Sequence, residues 1–222
     1  MRRHCRAPGC DRTVASGYAA YCEMHKRRLR RHGDAQQVAV TVHELRPYLD
    51  RVRRRVKSDP SNRTWPILVD RWQVLIAHAR EELSRIEQGG AYSRPAREAM
   101  LAIVRVADHV APIEVIETVS AMYLMRDHRA GRFLSDLAFS HQLVRRVRGL
   151  SRLNAGEYWD QRERKRRLVY KDPTPRGAAV MAELLEEAFG GVGLFLARLD
   201  QRDADRKASE RAALADALGE LQ

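Results

Sequence analysis

An all-α fold is what this sequence predicts, a multi-helix body behind a short N-terminal module that carries every cysteine of the chain. Two observations predict the body. Apolar residues recur at helical spacing in one stretch after another, and clusters of Pro, Gly, Ser and Asn separate the stretches. Sustained period-two alternation bounded by hairpin turns is poor throughout. Composition adds a third: of 222 residues 44% are hydrophobic but only 6% aromatic, so the core must be mostly aliphatic. The expected division is a module over residues 1–35, a basic helical domain over 36–171 and an acidic-tailed helical segment over 172–222.

The module reads CRAPGCDRTVASGYAAYCEMHKRRLRRH from Cys5 to His32. Four residues separate Cys5 from Cys10, eleven separate Cys10 from Cys22, and two separate Cys22 from His25. Three thiolates and one imidazole complete a tetrahedral structural zinc site, with no position left for substrate or water. His4 and His32 are alternatives to His25 as the fourth ligand. Pro8-Gly9 before Cys10 predicts a tight turn that aims backbone amides at a thiolate. Cys22 and His25 share one face of a helix opening at Cys22, Leu29 and His32 continue that face, and Gly33 ends the helix. The other face carries Lys26, Arg27, Arg28, Arg30 and Arg31. A disulfide reading is weaker, since three cysteines leave one unpaired and nothing marks export.

Cys5, Pro8-Gly9-Cys10, Gly17-Tyr18, Cys22, Met24-His25 and the Arg30-Arg31-His32-Gly33-Asp34 tail resemble a short zinc-binding motif. That motif stands at the start of many bacteriophage and mobile-element proteins, including some HNH endonucleases. The resemblance covers about the first thirty-five residues and implies nucleic-acid work, with Cys5, Cys10, Cys22 and His25 as ligands. It does not extend to the rest of the chain.

The next elements follow in order. Thr41-Val42-His43-Glu44 has the form of a capping box, and Leu45, Tyr48, Leu49, Val52 and Val56 follow at helical spacing. Pro47 would delay the regular helix to about Arg46. The outward face carries Arg51, Arg53, Arg54, Arg55 and Lys57. Ser58 to Asn62 is a break. Trp65-Pro66 opens a helix with the stripe Val69, Trp72, Ile76, Ala79, Leu83 and Ile86, stopped at Gly89-Gly90. Ser93 with Pro95 starts another that runs through Met100, Leu101, Val104 and Ala107 to about His109. Pro112 begins a fourth, with Val115, Val119, Met122 and Tyr123. Trp65, Trp72 and Met100 read as core packing and not as a ligand box.

Asp136 to Arg152 forms a second basic stretch, with Leu137, His141, Val144 and Arg148 on one face and Arg145, Arg146, Arg148 and Arg152 towards its end. The Ala130-Gly131 turn before it permits a helix-turn-helix arrangement. Asn154-Ala155-Gly156 reads as a loop. Tyr158 and Trp159 then precede Arg164, Lys165, Arg166 and Arg167, either a single-strand or RNA surface or a salt-bridged helix with both aromatics docked on the core. After Asp172-Pro173-Thr174-Pro175, an amphipathic helix over Val180, Met181, Leu184, Leu185 and Phe189 is expected to break at Gly190-Gly191 and resume at Val192. The last residues are alanine-rich, with Leu214, Leu218 and Leu221 at helical spacing.

The net charge is +12, and it is uneven: +10 over residues 1–57, zero over 58–110, +6 over 111–171 and −4 over 172–222. A basic chain of this kind points to a polyanionic partner. No apolar run is long enough to span a bilayer, and the N-terminus has no hydrophobic signal region, so a cytoplasmic protein without a membrane partner is expected. Phosphate-cradling GxxxxGK[ST] and GxGxxG loops, the GxSxG elbow and the HExxH pair are absent. His109, His128 and His141 lie on helical patterns and not on the ββα unit an HNH nuclease needs. The expectation is a non-catalytic nucleic-acid-binding protein with structural zinc, DNA favoured over RNA, and a protein partner or second copy at the C-terminal segment. Its expected contacts are Lys26, Arg27, Arg28, Arg30, Arg31, Arg53, Arg54, Arg145, Arg146, Arg148, Arg164, Lys165, Arg166 and Arg167. Its rivals are a protein–protein adaptor and a nuclease subunit.

Overall fold

A computed structural model describes residues 3–151, 155–170 and 172–219, with side chains described except at 155–158, 167–170, 197 and 217–219. Arg152, Asn154 and Leu221, and the side chains of Tyr158, Arg167 and Leu218, lie outside the described set. The helices are α1 (Glu23–His32), α2 (Val42–Ser58), α3 (Thr64–Glu87), α4 (Arg94–Ala107), α5 (Pro112–His128), α6 (Asp136–Arg148) and α7 (Pro175–Gly219). A 3₁₀ turn at Ala130–Arg132 joins α5 to α6, and a hairpin of β1 (Ala155–Asp160) and β2 (Lys165–Tyr170) joins α6 to α7.

The most hydrophobic segment became the centre. From Val115 to Met125 every residue of α5 is buried, because the sequence there is apolar or small on all sides. Its one carboxylate, Glu117, accepts from Arg53 Nε of α2 at 2.8 Å. Around it pack α2, α3, α6 and α7, with α4 against α3 and α7. Trp72, Ile103, Ile116, Met122, Leu143, Met181 and Leu185 are among the side chains of this core. The expected stripe of α3 is largely inside: Trp65, Trp72, Ile76 and Ala79 are buried, and Met100 of α4 with them.

Caps behave as their residues require. Thr41 Oγ1 accepts from Glu44 N at 3.1 Å, and Ser135 Oγ accepts from Ala138 N at 3.0 Å. The helix α2 therefore begins at Val42, not near Arg46, with Pro47 inside it. His43 and Pro47 are both exposed, so the carbonyl left without a partner by the missing proline N–H lies where water can reach it.

Three expectations are corrected. The glycines at 190 and 191 do not break α7, which runs for 45 residues. A Cβ on Gly193 would lie 2.2 Å from Tyr123 Cβ, and one on Gly190 would lie 3.4 Å from the Tyr123 hydroxyl. These glycines let α7 approach α5 closely, and burial of Phe189 and Leu196 on either side outweighs the roughly 1 kcal/mol that a helical glycine costs. Second, the stretch 155–170 is neither loop nor helix but an antiparallel hairpin, with Trp159 opposite Arg166 and Asp160 opposite Lys165. Tyr158, Trp159, Leu168, Val169 and Tyr170 favour strand. Asp160 Oδ1 accepts from the amides of Arg162 and Glu163 at 3.0 and 3.3 Å, and Arg164 closes the turn at φ +48°. Trp159 is 58% exposed, so it is not docked on the core. Third, α6 exposes only Asp136 and Leu137, its other residues being buried or half-buried. It has no free face to serve as the recognition helix of a helix-turn-helix.

Candidate metal centre and basic surface

The first twenty residues have few apolar side chains to bury. Besides the cysteines, Ala7 is the one fully buried residue there among those described, with Tyr21 packed alongside. Backbone bonds shape the loop instead. Cys5 N donates to Arg12 O at 2.8 Å, Val14 N to Arg3 O at 3.1 Å and Arg6 N to Ala20 O at 3.0 Å. Ala7-Pro8-Gly9-Cys10 is a turn closed by Cys10 N to Ala7 O at 3.1 Å, with Gly9 at φ +70°, as a proline–glycine turn requires. Cys22 then caps α1 in extended conformation, which places His25 in the first turn beside it.

These segments bring Cys5, Cys10, Cys22 and His25 together, their ligand atoms all within 4.8 Å of one another. His25 Nδ1 lies 3.3 Å from Cys5 Sγ and 3.5 Å from Cys22 Sγ, and the sulfurs of Cys10 and Cys22 are 4.0 Å apart. A tetrahedron with metal–sulfur bonds of about 2.3 Å and metal–nitrogen bonds of about 2.0 Å has edges of about 3.8 and 3.5 Å. The cluster is therefore compatible with a Cys3His metal site, and its cysteines are free thiols, not disulfides. Burial raises the Cys5 pKa, but the amides of Cys22 and Ala7 and the side chains of His25 and Cys22 bring it down to about 6. For Cys10 the Arg12 amide pulls the pKa down, yet burial and the neighbouring sulfurs of Cys5 and Cys22 leave it raised. Three thiols at this spacing hold their negative charge together only if a cation shares it.

The two alternative histidines are engaged elsewhere. His4 is exposed, its Nδ1 donating to Asp11 O at 3.0 Å while its backbone bridges to Thr13. His32 is buried at the end of α1, where Gln142 Nε2 of α6 donates to its Nδ1 at 3.1 Å. Gln142 Oε1 accepts from Val40 N at 2.9 Å, so one side chain ties the module, its linker and the body together. Burial, then the charges of Arg145 and Arg31, lowers the His32 pKa to about 4. The sequence reading missed this polar seat; its signal was the pair His141-Gln142 set between Phe139 and Leu143-Val144 in α6.

The basic residues divide into two groups. Arg31 Nε pairs with Asp172 at 2.6 Å, and Arg145 pairs with the same carboxylate. Arg53 pairs with Glu117, and Arg55 binds Asp200 at 2.6 Å and Asp203 at 2.7 Å. Arg146 and Arg148 are half-buried in α6, burial lowering the Arg148 pKa. Arg54 is exposed and donates to Asp50 O at 3.3 Å. By contrast Arg27, Arg28 and Arg30 are exposed on α1 with no ion-pair partner among the described residues, and Lys26 has only Glu23 at 3.5 Å. Arg164, Lys165 and Arg166 are exposed on the hairpin, where Lys165 pairs with Glu163. Asp172 follows β2 closely, so its bonds to Arg31 and Arg145 hold the hairpin's base near the end of α1.

The hairpin and α7 follow one another as a ββα unit would, but the chain has no histidine after His141 to act as a base there. Asp108 pairs with Arg80, and His109 Nδ1 donates to Arg105 O at 3.3 Å, so these two neighbours point to different partners. Among the described residues, no helix is long and apolar enough to cross a membrane. Comparison with protein-family models, curated proteins and solved structures finds no match to this chain.

Proposed function

We propose that the chain is a non-catalytic nucleic-acid-binding protein whose N-terminal module is held by one structural zinc ion. The module supports the zinc assignment by what it lacks: among its described residues the buried apolar side chains other than cysteine are only Ala7 and Ala35, so the sulfurs and imidazole need a metal to hold the loop. Cysteine-rich tetrahedral sets favour zinc. Zinc here is a fold-forming ion; Cys5, Cys10, Cys22 and His25 would hold it and no open position remains for chemistry. Metal analysis of the protein purified without chelator should give one zinc per chain. Cys22→Ser should lose it and make residues 3–34 protease-sensitive while the body keeps its helix content. A metal-free protein with a protease-resistant module overturns the assignment.

The observation that carries the nucleic-acid reading is the sorting of the arginines. Those facing the body are paired, and those on the outer face of α1 are not. DNA is favoured over RNA because the first thirty-five residues resemble a motif of phage and mobile-element proteins, and an accessory or regulatory factor of that type is the best-supported role. Log affinity for duplex DNA should fall linearly with log salt, and Arg27→Ala, Arg28→Ala and Arg30→Ala together should flatten the slope by about 2 to 3 units at about 0.9 per phosphate contact. Arg31→Ala should instead loosen the module, since its charge is bound to Asp172. Equal, salt-insensitive binding by wild type and the triple variant overturns the reading. An adaptor role is favoured by a different observation, the exposed end of α7, and is taken up below.

A further inference from the structure

We infer that the β1–β2 hairpin is a base-stacking element that gives the protein a preference for unpaired nucleic acid, with Trp159 as the stacking platform; this rests on the nucleic-acid reading above. Trp159 is one of three tryptophans, and the other two are in the core, Trp65 8% exposed and Trp72 0%. Trp159 is 58% exposed. A single exposed apolar residue is ordinary on a protein surface. This one is set apart by its surroundings. Residues 161–166 around it are all exposed and include Arg162, Arg164, Lys165 and Arg166. The strands pair chiefly with each other and not with the helices, so this ring stands clear of the core.

Antiparallel register puts Trp159 directly across from Arg166, and residues directly opposed in a ladder share a face. That face therefore offers an indole plane with a cation beside it. The turn adds Arg162 and Arg164 within a few residues. Sequence-tolerant recognition of single strands needs this pairing, cations along the backbone and an aromatic face for a base. A duplex offers the cations their phosphates but hides the base faces inside its stack. The rigid Asp160 turn, fixed by its bonds to the Arg162 and Glu163 amides, presents the platform without needing to order a loop first.

The two buried tryptophans make the test specific, because only Trp159 is open to a ligand or to acrylamide. Titrating the full chain with a twenty-nucleotide dT oligomer should quench tryptophan emission to saturation and shield the acrylamide-accessible fraction. Trp159→Ala should abolish the quench and weaken dT binding about tenfold, within the range for losing one stacked aromatic. Duplex affinity should change less than twofold. Trp159→Phe should lose the signal but keep most of the dT affinity when followed by anisotropy of a labelled oligomer, since a phenyl ring still stacks. Undiminished dT binding by Trp159→Ala, at unchanged circular dichroism, overturns this inference while leaving binding through α1 intact. If wild type binds neither dT nor duplex at low salt, the nucleic-acid reading itself falls and the inference with it.

Discussion

At φ +78° Gly33 ends α1 in the left-handed region, and its amide donates to Leu29 O at 2.9 Å. A Cβ there would also lie 2.6 Å from the Leu137 carbonyl oxygen of α6. Backbone cannot yield as a side-chain tip can, so Gly33→Ala is expected to cost about 1–3 kcal/mol and to loosen the module's seat. Differential hydrogen exchange of residues 23–40 would show it. His32 is the second residue of that seat. Its native pKa of about 4 lies below the ordinary 6.5, so the unfolded chain takes up its proton first as pH falls. The contribution is complete above pH 6.5 and is lost on descending towards 4. The charges facing it are Arg145, Arg31 and Asp172, with His141 beside it, whose pKa burial also lowers. Thermal midpoints should therefore drop from pH 7 to pH 5, and His32→Gln should show a shallower drop. An unchanged pH profile in His32→Gln would refute the assignment.

Among the elements, α7 is where reading the sequence and reading the structure part most clearly. The cap at Thr41 was legible because caps act within four residues, although Pro47 hid that the helix starts directly after it. The Cys3His cluster was legible because its four residues lie in one short segment. Gly190 and Gly193 were not, since their reason is Tyr123 on another helix. The hairpin was hidden because lysine and arginine occupy β2 where alternation would have shown. The arginines of α2 looked free because Glu117, Asp200 and Asp203 are distant in sequence. Gly193→Ala provides the check on α7: a methyl 2.2 Å from Tyr123 Cβ forces the two helices apart. A loss of about 1–3 kcal/mol in denaturant unfolding is expected. Were glycine merely a weak point in the helix, the same change would stabilise by up to about 1 kcal/mol.

For the whole molecule, the open question is what α7 does once it leaves the body. Residues 204–216 are all exposed, and Leu214 is 62% exposed. At 1.5 Å per residue the helix is about 67 Å long, more than the body needs. Such a stretch is marginal by itself in water, although its packed first half nucleates it. We propose that a second copy or another protein covers this end, the adaptor reading in its mildest form. Removing residues 204–222 spares Asp203 and its bond to Arg55. Sedimentation of the two forms at matched salt should then differ in assembly, with the thermal midpoint nearly unchanged. Identical sedimentation with a large fall in midpoint would mean that the end of α7 belongs to the fold of one chain.

The joint between module and body has a consequence in time. The four ligands of the Cys3His cluster are complete at His25, so a metal bound as proposed would close the module while most of the chain is still unmade. Its seat needs Gln142, 110 residues beyond His32, and then Asp172. On a ribosome a module closed in this way would trail as a tethered bead through the synthesis of five helices, its basic face open to whatever lies near. Birth order would then separate the module from its anchor: the part whose ligands are complete first is held by residues made more than a hundred positions later.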